Sequence, residues 1–62
     1  MSRLLRLPDV LALTALSRSK LYVYMGDGTF PKPVKIGARA NAWPENEIAD
    51  WINSRVERRE AA

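Results

Sequence analysis

Apolar side chains first follow a helical spacing shortly after the start of the chain. Pro8 suits the first position of a helix, and Asp9 suits its first turn, where a carboxylate complements the helix dipole. The inward-facing stripe of this helix consists of Val10, Leu11 and Thr14. These features predict a first helix over about residues 8–15, preceded by a short strand or extended arm at residues 3–7.

A second helical pattern follows a break at residues 15–17. Ser17 is a good N-cap, because its hydroxyl can accept a hydrogen bond from a free backbone N–H. The apolar face after it consists of Leu21, Tyr24 and Met25. The opposite face consists of Ser19, Tyr22, Val23 and Gly26, with Arg18 on its flank. We expect a second helix over about residues 18–27 that glycines 26 and 28 end in a left-handed conformation.

Prolines 31 and 33 exclude a helix from the next segment. The apolar–polar alternation of Val34-Lys35-Ile36 predicts a strand, residues 37–40 a turn, and residues 41–43 a returning strand. The predicted hairpin, over about residues 34–43, carries Lys35 on a strand and Arg39 at or near its tip.

The third helix is predicted over about residues 45–59. Pro44 opens it, and the acids Glu45 and Glu47 complement the dipole in its first turn. Its stripe at helical spacing consists of Ile48, Trp51, Ile52, Arg55 and Val56. We expect both tryptophans, at positions 43 and 51, to fill the core. The order helix, helix, hairpin, helix predicts a mostly α fold with a small β-hairpin wing, in a single winged helix-turn-helix domain over residues 1–62.

Composition narrows the function by exclusion. The chain has 62 residues, with no cysteine and no histidine, which excludes disulfide frameworks and ordinary zinc sites. Histidine or clustered carboxylates in a cleft usually carry acid–base catalysis, so we expect no enzyme, no cofactor and no small-molecule substrate. The apolar runs are too short to span a bilayer. We therefore expect no membrane partner and a place in the cytoplasm.

Charge is distributed unevenly along the chain. Residues 1–39 hold seven basic and two acidic side chains, a balance of +5, whereas residues 40–62 hold three arginines and five acids, a balance of −2. A basic region of this kind is typical of a protein that binds a polyanion.

Two short helices joined by a tight turn at residues 14–17, with a basic second helix, indicate a helix-turn-helix. The second helix would bury one face and offer the other to the major groove of duplex DNA, which is about 12 Å wide. The candidate DNA contacts on this helix are Ser17, Arg18, Ser19, Lys20 and Tyr22. Hydroxyls and the helix N-terminus suit phosphates, and arginine suits guanine or phosphate. From the wing we add Arg39, which suits the backbone or a narrow minor groove, and Lys35, which suits the backbone.

Three segments together resemble the AlpA family: Leu16-Ser17-Arg18-Ser19-Lys20-Leu21-Tyr22, then Phe30-Pro31-Lys32-Pro33-Val34-Lys35-Ile36-Gly37-Ala38-Arg39, then Trp43 with Glu45, Glu47-Ile48 and Trp51. The resemblance covers residues 3 to 58. It implies a small prophage regulator with a winged helix-turn-helix fold like that of MerR proteins, related to excisionases. It also implies a bacterial or phage-encoded protein that is associated with the nucleoid. The family often has glycine in the turn where this chain has Ala15.

The resemblance implies either control of prophage transcription, by activation or repression, or an excisionase-like role in which the protein bends attachment-site DNA. Self-association on DNA would accompany either role, since one small helix-turn-helix makes few contacts. A hypothesis of another class is a protein-interaction module that does not bind DNA, using an exposed Leu4-Leu5 arm and the acidic face of the last helix.

Overall fold

The computed structural model describes residues 3–59, which form three helices and a small antiparallel sheet. In chain order the elements are strand β1 (Leu4–Leu5), helix α1 (Leu7–Thr14), helix α2 (Arg18–Asp27), strand β2 (Val34–Gly37), strand β3 (Ala40–Pro44) and helix α3 (Glu45–Glu57). The predicted fold class, mostly α with a small β-hairpin wing, is confirmed. The arrangement is that of a winged helix-turn-helix.

The first helix differs from the predicted residues 8–15 at both ends. It begins at Leu7 and ends at Thr14, because Ala15 has a left-handed backbone with φ of 61°. The N–H of Ala15 donates to the carbonyl of Leu11 at 2.9 Å. Ala15 therefore closes the last turn of α1 instead of extending the helix, and it turns the chain toward α2.

Capping residues set the ends of the other two helices. The Ser17 hydroxyl accepts a hydrogen bond from the N–H of Lys20 at 3.1 Å, so α2 begins at Arg18. Gly28, with φ of 80°, closes α2. Helix α3 ends at Glu57, two residues short of the predicted limit, and Arg58 takes the capping position.

Strand β1 joins the sheet by pairing with β3, so the strand order is β1-β3-β2. Leu5 lies opposite Trp43 and is 1% exposed, whereas Leu4 is half exposed. The hypothesis of a free Leu4-Leu5 arm for partner binding is therefore wrong. Pairing with β3 holds the segment in the sheet, and its second leucine belongs to the core.

The wing is the hairpin of β2 and β3. Val34 lies opposite Ala42 and Lys35 opposite Asn41, with an irregularity in the pairing between Lys35 and Gly37. Residues 38–39 form the turn between the strands. Each strand is one residue longer than its predicted counterpart in the direction of the turn, and β3 also continues to Pro44.

The core lies between the sheet and the three helices. Its buried apolar side chains are Leu5, Val10, Leu21, Phe30, Trp43 and Ile48. Trp51 is half-buried and packs edge-on against Phe30, with ring centroids 4.9 Å apart. Tyr24 and Met25 also pack against the core, as predicted. Val56 is half exposed, so the predicted stripe on α3 leaves the core before the helix ends.

Two indole groups hold the loop between α2 and β2. The Trp43 Nε1–H donates to the carbonyl of Pro31 at 2.9 Å, and the Trp51 Nε1–H donates to the carbonyl of Thr29 at 2.8 Å. Both bonds satisfy backbone carbonyls that prolines and the loop geometry leave outside the sheet. The Trp43 bond ties this loop to β3 of the wing, and the Trp51 bond ties it to α3.

Candidate nucleic-acid interface

Helix α2 buries one face and exposes the other. Leu21 is fully buried, whereas Tyr22 and Val23 are about half exposed. Ser19 and Gly26 lie on the same side as Tyr22 and Val23 at helical spacing and are also exposed. The exposed face thus carries the hydroxyl of Ser19, the phenol of Tyr22 and the apolar side chain of Val23.

The first turn of α2 holds the predicted contacts Ser17, Arg18 and Ser19, and all three are exposed. Ser17 serves as the N-cap, so its hydroxyl already accepts a backbone hydrogen bond. That bond leaves the hydroxyl hydrogen free to donate to an anion. Helix dipole and side chains together make this turn a favourable place for negative charge.

The wing carries its two predicted basic residues at its turn and on its first strand. Arg39 lies in the turn of the hairpin and is exposed. Lys35 is the cross-strand partner of Asn41. Directly paired residues in an antiparallel hairpin project from the same face of the sheet, so Lys35 and Asn41 leave the wing together.

A cavity of about 200 Å³ lies between α2, the wing and the start of α1. The residues that line it are Arg6, Leu7, Pro8, Tyr22, Arg39, Asn41 and Trp43. It brings together two predicted contacts, Tyr22 and Arg39, that are distant in sequence. Through Asn41 it also adjoins Lys35. Helix α2 and the wing therefore share one surface.

Lys20 lies on the opposite flank of α2. Its Nζ is 5.7 Å from the centroid of the Tyr24 ring, on the side of α2 that packs toward α3. Arg55 of α3 covers the same aromatic cluster, 5.0 Å from the Tyr24 centroid and 4.8 Å from that of Trp51. The structure thus places Lys20 apart from the cavity that Tyr22 and Arg39 line.

Two residues at this surface escaped the sequence prediction, Arg6 and Asn41. Arg6 precedes α1, and Asn41 lies in β3, outside the recognition helix and the tip of the wing. The charge distribution could have indicated Arg6, because it is one of the basic residues of the positively charged half of the chain. Nothing comparable indicates Asn41, since its position depends on the register of the hairpin.

The described residues also bear on metal binding, on membrane insertion and on the placement of negative charge. Within residues 3–59, no three His, Cys, Asp or Glu side chains are grouped so that they could hold a metal ion. No helix in this part of the chain is long and apolar enough to cross a membrane. The acids Glu45, Glu47 and Asp50 lie in the first half of α3, and the Glu45 carboxylate forms a salt bridge with Arg3, with 3.1 Å from Nε to Oε2.

Comparison with known proteins matches the chain to one protein family. The family described as prophage CP4-57 regulatory protein (AlpA) matches residues 3–56, which is nearly the whole described range. The matched range includes α1, α2 and the wing, and it ends one residue before the end of α3.

Two relatives are similar over most of this chain. The uncharacterized protein ORF88 of Enterobacteria phage P4 is 39% identical over 54 residues, which cover 87% of this chain but 61% of the phage protein. The DNA-binding transcriptional activator AlpA of Escherichia coli strain K12 is 36% identical over 59 residues, which cover 86% of this chain and 84% of the relative. The chain thus spans less than two thirds of the length of the phage relative.

Proposed function

The chain belongs to the AlpA family of prophage regulatory proteins, and from this premise we propose that it is a sequence-specific double-stranded DNA-binding protein that regulates phage or prophage transcription. The observation that carries the proposal is the shared surface of α2 and the wing, where Tyr22 and Arg39 line one cavity. The E. coli relative's description as a DNA-binding transcriptional activator supports it. A protein of this kind acts in the bacterial cytoplasm.

The exposed face of α2 suits the major groove. A groove about 12 Å wide accepts one helix, whose first turn meets the base edges. In that turn the guanidinium of Arg18 offers paired N–H donors to guanine, while Ser17 and Ser19 supply hydroxyls for phosphate. Val23, further along the same exposed face, offers apolar contact to a thymine methyl.

The wing suits the backbone beside that groove. Arg39 at the turn lines one cavity with Tyr22 of α2. Lys35 on β2 pairs with Asn41, which also lines that cavity, so both basic residues suit phosphates beside α2. Such contacts position a protein on the duplex without reading its sequence. Within the proposal, therefore, Arg18 contributes specificity and Arg39 contributes affinity.

Two substitutions test this division of roles. Arg18→Ala should weaken binding to the preferred duplex by about 1–3 kcal/mol and leave binding to a scrambled duplex nearly unchanged. Arg39→Ala should weaken both duplexes alike and reduce the slope of log K against log salt by about one unit. Fluorescence anisotropy titrations over a series of salt concentrations measure both quantities.

Arg3→Ala is the matched control, because it removes the same charge from an arginine that already pairs with Glu45. Its effect on either duplex should be small. If Arg39→Ala weakened only the preferred duplex and Arg18→Ala weakened both duplexes alike, the wing would contribute specificity and the helix affinity. Wild-type protein whose binding does not depend on salt would contradict the proposed function itself.

A further inference from the structure

The cavity between α2 and the wing is lined by two arginines from separate parts of the chain. Arg6 comes from the residue before α1 and Arg39 from the turn of the wing. Neither forms a salt bridge with another residue of the described range, and no Asp or Glu lines the cavity. Two cations that converge on a cavity without a carboxylate favour an anionic ligand.

Neutral groups of the lining add hydrogen-bond donors. Tyr22 supplies a phenol and Asn41 an amide, whose N–H₂ group can donate twice. The side chain of Arg6 does not cap α1, and the first residues of that helix, Leu7 and Pro8, also line the cavity. The positive end of the helix dipole therefore reinforces the two arginines.

The size and position of the cavity suit a phosphate group of a polymer. Its volume is about 200 Å³, several times the roughly 30 Å³ that one water molecule occupies in the liquid. It lies next to the exposed face of α2 and opens beside the wing. We expect the sugar–phosphate backbone of a duplex whose major groove held α2 to pass near this cavity, because Tyr22 of α2 is one of its lining residues.

We propose that this cavity binds one backbone phosphate of duplex DNA, and that Arg6 and Asn41 are contacts in addition to Tyr22 and Arg39. The inference rests on the proposed function and adds a third element, the start of α1, to the recognition helix and the wing. Planar guanidinium groups bind phosphate through paired hydrogen bonds, so this contact fixes the register of α2 on the duplex without reading a base.

Charge removal at Arg6 provides the first test. Arg6→Gln should weaken binding to a preferred duplex and to a scrambled duplex by the same factor, roughly five- to tenfold, which corresponds to about 1 to 1.4 kcal/mol. The slope of log K against log salt should become shallower by about 0.9. Arg3→Gln, which removes the same charge from the arginine paired with Glu45, should leave the slope unchanged. Both arginines are exposed, so circular dichroism should show the same unfolding curve for all three proteins.

Neutral DNA analogues provide the second test. Duplexes with a single methylphosphonate, placed in turn at each phosphate, remove one backbone charge at a time. One position should weaken wild-type binding yet have little further effect on Arg6→Gln or on Asn41→Ala. A methylphosphonate whose effect is lost in these variants identifies the phosphate that the cavity binds.

The outcomes separate the inference from the proposed function. Wild-type protein that binds no duplex at low salt overturns both. Wild-type binding with Arg6→Gln indistinguishable from Arg3→Gln, and with no coupled methylphosphonate, overturns the phosphate contact alone. An NMR titration in which inorganic phosphate shifts the Asn41 amide, while no methylphosphonate weakens binding, would assign the cavity to a free anion and overturn the DNA assignment.

Discussion

Ala15 shows how a single residue shapes the helix-turn-helix. It is the one non-glycine residue of the described range with positive φ, at 61°. A left-handed conformation costs an alanine about 1–2 kcal/mol because its Cβ approaches the following carbonyl. The position nevertheless turns the chain from α1 into α2. The strain is therefore located in the turn that sets the direction of the recognition helix.

Replacement of Ala15 by glycine should stabilise the protein. Glycine removes the steric cost at positive φ but loses more entropy on folding, so we expect a net gain of about 0.5 to 1 kcal/mol in the free energy of unfolding. Ala12→Gly is the control, because Ala12 is an exposed residue inside α1 and should lose about 0.5–1 kcal/mol. Urea unfolding measures both changes, and equal losses would refute the strain at Ala15.

The cap at Ser17 has a measurable structural role apart from DNA. Ser17→Ala removes the acceptor for the Lys20 N–H and should lower the free energy of unfolding by about 1 kcal/mol. Ser17→Asn keeps an acceptor and should restore most of the stability. Ser19→Ala, on an exposed residue that is not the cap, should change it by less than about 0.5 kcal/mol. Equal unfolding curves for Ser17→Ala and Ser19→Ala would show that the cap contributes nothing.

The wing depends, at the scale of elements, on the loop that precedes it. The indoles of Trp43 and Trp51 bind the carbonyls of Pro31 and Thr29, so β3 and α3 hold both parts of this loop. A displaced loop would move β2, and with it Lys35. We therefore expect DNA binding by the wing to depend on the packing of Trp51 in α3.

Trp51→Phe tests this coupling. The phenyl ring keeps part of the contact with Phe30 but cannot donate to the Thr29 carbonyl, so the free energy of unfolding should fall by about 1–2 kcal/mol. Hydrogen exchange should become faster at residues 28–36 and stay unchanged in α1. Tyr22→Phe, which alters an exposed ring, should leave stability within about 0.5 kcal/mol. Unchanged exchange in the loop of the Trp51 variant would show that the indole does not hold it.

The sequence predicts correctly those helices and strands that neighbouring residues specify by themselves. Ser17 and Gly28 mark the ends of α2 by their own chemistry, and the alternation after Pro33 marks the wing. It could not define β1, since a two-residue strand has no period and exists only through its partner Trp43. It missed Arg6 and Asn41 for the same reason: the cavity forms where the start of α1, the middle of α2 and the wing meet in space.

At the scale of the whole molecule, charge is segregated along the chain. The basic side chains at the α2–wing surface contrast with the acids at the start of α3. This separation of charge favours an orientation in which the basic side of the protein approaches a polyanion first. One domain of this size would make few base contacts, so we expect useful specificity to require more than one copy on the DNA.

We therefore expect a monomer in dilute solution that assembles on repeated or inverted sites. Sedimentation velocity should give the mass of one chain without DNA and of two or more chains on a preferred duplex. Arg39→Ala should lower the affinity without changing the number of copies at saturation. A tight dimer in the absence of DNA, or a single copy at saturation, would contradict this arrangement.

Selection of random duplexes on the pure protein at about 0.15 M salt, followed by sequencing, tests the central claim most directly. The proposed function predicts an enriched motif that Arg18→Ala no longer selects, while Arg3→Ala still does. Absence of any enriched motif, together with no binding of duplex DNA at low salt, would contradict the conclusion that α2 and the wing form a DNA-binding surface.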